Sequence, residues 1–138
     1  MKQFWYIVQM VFTAVSGWSS WFLGGGDGLL CALITFVVAD YITGMMCAAI
    51  DHKFSSKVGF KGIFKKTLIF MIVGIGNIID AQVIGTGTGL RTVVILYYIS
   101  HEGISLLENA GYLGLPFPAK LKAILEQLHD REEEDKDV

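Results

Sequence analysis

Four stretches of this chain, residues 4–23, 29–50, 63–84 and 90–113, are each as long as a bilayer is thick and mainly apolar, the fourth being the weakest. The hydrocarbon core of a membrane takes about 20 apolar residues in helical form. Of the 138 residues, 53% are hydrophobic and only 17% are charged, and the mean hydropathy is +0.53. That balance is far from a soluble domain's. The expected fold is therefore all-α: an integral membrane protein with three to four transmembrane helices over residues 1–113. A short cytoplasmic amphipathic helix and charged tail follow over 114–138.

The connections set the orientation. Residues 51–66, "DHKFSSKVGFKGIFKK", carry the five lysines Lys53, Lys57, Lys61, Lys65 and Lys66 against the single Asp51, so a basic cytoplasmic loop over 51–62 is expected under the positive-inside tendency. The glycine turn at 24–28 holds no basic residue and the "GTGTG" connection at 85–91 only Arg91, so both are expected outside. Four spans would place both termini in the cytoplasm. In a three-span version the first segment, with Trp5, Trp18 and Trp21, lies in the membrane surface instead. Lys2 followed by an apolar run up to Ala14-Val15-Ser16 imitates a signal peptide, but Trp18, Trp21 and Phe22 continue the apolar pattern past the cut site.

The polar residues inside the greasy segments fall on stripes. At roughly 100° per residue, Gln9, Thr13, Ser16 and Ser20 share one arc of the first segment, and Arg91, Tyr98, Glu102, Ser105 and Asn109 share one arc of the fourth, flanked by His101, Glu108 and Tyr112. Lipid tails offer no hydrogen bonds, so such a stripe must meet another helix, a water-filled space or the membrane surface. In the second segment Gly44 and Ala48 form a small face, and in the third Gly74, Asn77 and Ala81 form another, allowing close backbone approach. Asp40 and Asp80 lie near these faces. Asp40 is expected to be protonated, or paired with a basic or hydroxyl group of a neighbour.

Enzyme signals are poor. His101-Glu102 starts like HExxH, but Ser105 stands where the second ligand would be. The glycines at 85–89 lack a Walker lysine and a βαβ setting, and no nucleophile sits beside a base in a soluble pocket. Cys31 and Cys47 have no metal spacing and read as small buried side chains. A formal charge of -2 gives no reason to invoke nucleic acid. No enzyme activity, metal or cofactor is expected. In "AKLKAILEQLH", Leu121, Ile124, Leu125 and Leu128 recur at helical spacing, and "DREEEDKDV" reads as a solvated tail.

Two stretches resemble a known family. "DYITGMMCAAIDHKFSSKVGFKGIFKK" (40–66) and "EGISLLENAGYLGLPFPAKLKAILEQL" (102–128) are similar to the toxin-secretion/phage-lysis holin family, which includes holins of phages of Gram-positive bacteria and clostridial holin-like toxin-release proteins. Asp40, Gly44, Ser55, Gly59, Gly62, Lys66, Glu102, Pro116 and Pro118 fall where such features are expected. The resemblance implies a protein of the host cytoplasmic membrane that self-associates and opens timed lesions, letting an endolysin or a toxin cross. Its partners would be the lipid bilayer and copies of itself, with the endolysin a functional partner that needs no direct contact. On this view the Arg91/Glu102/Asn109 stripe, helped by Gln9, Thr13, Ser16 and Ser20, lines the lesion, while Asp40 and Asp80 hold the closed assembly. A small oligomeric ion channel or transporter subunit, and a scaffold that docks a partner through 120–129, are the competing readings.

Overall fold

The structure, a computed structural model, describes residues 1–85 and 89–134. Among these residues it is all-helical, with α1 Lys2–Phe22, α2 Gly28–Ile50, α3 Ser56–Ile78, α4 Leu90–Tyr112 and α5 Ala119–Glu134. The last turn and a half beyond α3, Ile79–Ile84, widens into a π-helix, with the Gly85 N–H donating to the Asp80 carbonyl at 3.1 Å. Two helices, Gly28–Ile50 and Ser56–Ile84, are long and apolar enough by themselves to cross a membrane.

Local chemistry explains the boundaries. Asp27 caps α2 by accepting from the Leu30 N–H at 3.0 Å, and Ser55 caps α3 by accepting from the Val58 N–H at 3.2 Å; both satisfy amides that a helix start leaves open. The Ser55 cap changes one expectation. The segment 51–62 is not a loop for most of its length, because α3 starts at Ser56, and Lys57, Lys61, Lys65 and Lys66 are helical residues. Only Lys53 stays in the connection. For α4 the cap is remote: both carboxylate oxygens of Asp80 take the Leu90 and Arg91 N–H groups, at 3.1 and 2.9 Å, where a negative group also complements the helix dipole. The "GTGTG" expectation falls mainly on residues 86–88, outside the described residues.

The core is a three-helix contact with α4 at its hub, since α4 packs on α2, α3 and α5. Leu30, Leu33 and Val37 of α2, Ile69 and Val73 of α3, and Ile95 and Ile99 of α4 form one buried cluster, spaced three or four residues apart as one helix face requires. Gly114 adopts φ +83°, a left-handed turn that suits glycine. The Pro116 and Pro118 break follows, and α5 folds back along α4. There Leu125 is buried against Gly103, while Leu121 and Ile124, expected on the same apolar face, remain exposed. Among the described residues α1 packs on α3 alone, and none of its residues is buried.

Candidate functional site

The buried stripes do not end in apolar residues. Continuing α2 from Leu30, Leu33 and Val37 by three residues reaches Asp40; stepping back three from Ile69 on α3 reaches Lys66; stepping forward three from Ile99 on α4 reaches Glu102. All three therefore point into the same interface, near the middle of their helices. The Lys66 ammonium bridges the two carboxylates, pairing with Asp40 Oδ2 and Glu102 Oε2, and the Glu102 side chain is only 2% exposed. A carboxylate placed alone in a membrane costs on the order of 3 kcal/mol even on lenient scales; here the cation and its neighbours are supplied by the chain itself.

Asn109, two turns further along α4, completes this layer. Its amide Nδ2 donates to Asp40 Oδ1 at 3.1 Å and to Thr43 Oγ1 at 3.0 Å, and the Thr43 hydroxyl passes its own proton to the Ala39 carbonyl at 2.9 Å. Ser105, one turn beyond Glu102 on the same face of α4, lies near the Asp40 carboxyl. Gly44 lies beside this amide, where an added Cβ would make ordinary van der Waals contact with Asn109 Nδ2 at 3.8 Å. Ala48, half-buried, lies one turn on.

A second polar layer closes the opposite end of the apolar core. Arg91 is buried, and its guanidinium donates from Nε to the Leu23 carbonyl at 2.6 Å, from Nη1 to Asp27 Oδ2 at 2.7 Å, and from Nη2 to the Gly25 carbonyl at 3.1 Å and Asp27 Oδ1 at 3.2 Å. The planar fork suits this mixture of carboxylate and turn carbonyls. These bonds, with the Leu30 N–H, hold the Asp27 carboxyl below its ordinary value. Beside it, Asn77 Nδ2 donates to the Trp21 and Phe22 carbonyls at 3.3 and 3.2 Å, tying the end of α1 to α3.

The structure thus divides the residues expected on one α4 stripe. Glu102, Ser105 and Asn109 join Asp40 and Lys66, whereas Arg91 joins Asp27, Leu23 and Gly25, and half-buried Tyr98 meets Tyr97 edge-on at 5.0 Å. Gln9, Thr13, Ser16 and Ser20 are exposed on α1, with Thr13 Oγ1 donating to the Gln9 carbonyl at 2.8 Å; they do not meet the α4 stripe. Gly74 receives the Phe22 ring of α1, and Ala81 is exposed. Cys31 is exposed and Cys47 only half-buried, against the expectation of buried cysteines. Lys66, expected among the loop lysines and at a family-feature position, is instead a core-facing residue of α3. Its spacing of three and seven from Ile69 and Val73 was the available signal.

The two polar layers hold α2, α3 and α4 in register at either end of the apolar core. A model of the bacteriophage holin family matches residues 17–130. The chain belongs to the bacteriophage holin family. Among its relatives, an uncharacterised 14.9 kDa protein in the nagH 3' region of Clostridium perfringens is 37% identical over 81% of this chain and 85% of its own length. The uncharacterised protein Lmo0128 of Listeria monocytogenes is 39% identical over 83% and 85%, and YqxH of Bacillus subtilis 30% identical over 83% and 81%. No solved structure matches this holin-family chain. Family and apolar helices together fit a membrane protein.

Proposed function

We propose that this chain accumulates in a bacterial cytoplasmic membrane, assembles with copies of itself and opens timed lesions that pass an endolysin or a toxin, leading to host cell lysis. The observation that carries the reading is the Asp40–Lys66–Glu102 layer inside an otherwise apolar holin-family bundle. Polar groups able to line water are held paired within one copy. When copies gather, rotation of α2, α3 and α4 against one another trades those internal partners for water and for neighbouring chains.

The arrangement of α5 favours one side for the aqueous path. Its outer surface carries exposed Lys120, Lys122, Glu126 and Asp130, which lipid tails cannot accommodate. The α4–α5 side of each copy therefore turns to water, and the α2 and α3 surfaces, with exposed Ile34, Val38, Leu68 and Ile75, turn to lipid. In this proposal Glu102, Ser105, Asn109 and Tyr98 line the lesion together with Asp40 and Lys66. Arg91 and Asp80 clamp the opposite end. The chain is multi-pass, with the α2–α3 connection and the turn at 114–118 on the cytoplasmic side.

The test is controlled expression in a bacterium while membrane potential, viability and escape of a folded cytosolic reporter enzyme are followed. An abrupt, delayed and simultaneous loss of all three is expected. Collapse of the potential with the reporter retained would replace the lesion by an ion-selective channel.

A further inference from the structure

The first turns of α3 carry a second feature that the Asp40–Lys66–Glu102 layer leaves unused. Lys57, Phe60, Lys61, Phe64 and Lys65 lie on the side of α3 turned away from Gly62, Lys66 and Ile69, at roughly 100° per residue, and all five are exposed. Phe60 and Phe64 stack with ring centroids 6.3 Å apart, and with Lys57 and Lys61 they line one shallow depression. Among the described residues, no carboxylate pairs with Lys53, Lys57, Lys61 or Lys65. Lysines spaced four apart repel one another on a helix, and cations in its first turns also oppose the dipole. An anion from outside the chain would relieve both.

The same face of α3 continues into exposed Leu68, Met71, Ile72 and Ile75, so the lysines border a surface that lipid tails cover. Length places them at that border: Ser56–Ile84 is 29 residues, roughly 43 Å of helix at 1.5 Å per residue, against a hydrocarbon core of about 30 Å. The surplus of roughly 13 Å spans the first two to three turns. Aromatic rings sit well at the boundary of headgroup and acyl chain, and lysine stems extend along it with the ammonium in the polar layer.

We propose that Lys57, Phe60, Lys61, Phe64 and Lys65, with Lys53 from the preceding connection, form a binding site for the phosphate-bearing headgroups of anionic phospholipids. The leaflet is the one on the α2–α3 side. The rings seat the acyl ends of these lipids and the ammonium groups hold their phosphates; basic pockets at membrane helices bind anionic headgroups in this manner. The site needs the chain to lie in a bilayer and needs nothing of lesion formation, so each reading can fail without the other.

The test uses the full chain purified in a neutral detergent, supplied with equal amounts of phosphatidylglycerol and phosphatidylcholine, with co-retained lipid counted by native mass spectrometry. Wild type is expected to retain phosphatidylglycerol in preference. Each basic residue near a membrane surface attracts anionic lipid appreciably, so K57Q/K61Q/K65Q should lower its retention on the order of tenfold or more, while K57R/K61R/K65R keeps it. Should the glutamine variant lose its helical circular dichroism, the wild-type preference is titrated with salt instead, which must abolish it. Equal retention of the two lipids by wild type, a salt-insensitive preference, or a folded glutamine variant that binds phosphatidylglycerol as well as wild type does would each overturn the site.

Discussion

Helices α1 and α4 are nearly equal in length, yet their burial is the reverse of what their polarity suggests for a protein in water. The apolar, tryptophan-rich α1 has no fully buried residue, whereas α4, with Arg91, Ser100, Glu102 and Asn109, is the hub that α2, α3 and α5 surround. In water this would be inside out. Where the surroundings are lipid tails, apolar contact between helices gains little over contact with lipid, and polar groups are the ones that need enclosure. The comparison teaches that this chain sorts its helices by what a bilayer refuses.

The strongest way to break that comparison is to remove the cation on which the polar interior rests. Lys66→Met leaves Asp40 and Glu102 facing each other without a counter-charge, and removal of one partner from a buried ion pair costs about 3–5 kcal/mol. Denaturation of the full chain in detergent should show a loss of that size, and induced lysis should come early. The neutral triple variant D40N/K66M/E102Q should recover most of the stability, because nothing buried is then left charged. If the single and triple variants are equally destabilised, the layer is held by packing and α4 owes its central place to something other than charge.

Next in size is Arg91→Gln. It removes the guanidinium that joins α4 to the turn between α1 and α2 through four hydrogen bonds, and bonds to charged groups contribute about 1.5–3 kcal/mol. The expected readout is protease cleavage within 23–27 at a rate raised by that loss, with the Asp40–Lys66–Glu102 layer intact. Gly74→Ala follows. A Cβ at Gly74 would lie 1.9 Å from Phe22 Cε1, so the ring must leave, at a cost of about 1–3 kcal/mol for an overpacked contact. Trp18 stacks on Phe22 at 5.4 Å, so tryptophan emission should shift as α1 detaches while α2, α3 and α4 stay folded. An unchanged spectrum would mean that α1 is held elsewhere along its length.

Much of this contrast was legible in the sequence, and the illegible part has a physical reason. The stretches at 29–50 and 90–113 match the helices α2 and α4 to within a residue at each end; of these two, α2 is also long and apolar enough by itself to cross a membrane. Glu102, Ser105 and Asn109 were readable as one stripe from period alone. Their partner was not, since Lys66 sits among four other lysines and a dense run of charge resembles a solvated loop. Only the helical spacing to Ile69 and Val73 distinguishes it. Arg91 lies 64 residues from Asp27, and no local pattern announces a contact of that range. The return of α5 along α4 depends on a turn at Gly114 whose direction sequence does not encode.

The smallest effect concerns pH at the turn that joins the two contrasted helices. Arg91 and the Leu30 N–H hold Asp27 below its ordinary value of 3.8, so the carboxylate binds its partners more strongly than the neutral acid does. A depressed folded value means that this contribution is fully present above the unfolded value. It is lost as pH falls through the lower, folded one. The Asp27 side chain is 49% exposed, so solvent and salt screen the pair and the effect is modest. Protection of the 23–27 turn from protease digestion is awkward in acid, so amide hydrogen exchange at Leu30 is the better probe once corrected for its intrinsic pH dependence. Wild type and Asp27→Asn should differ at neutral pH and converge as the solution is acidified through the lowered, folded value, with the gap narrowed by salt throughout. Curves that stay parallel to the lowest pH would assign the turn's order to the carbonyl bonds of Arg91 at Leu23 and Gly25, and the link between α1 and α4 would then be one of shape, with charge incidental to it.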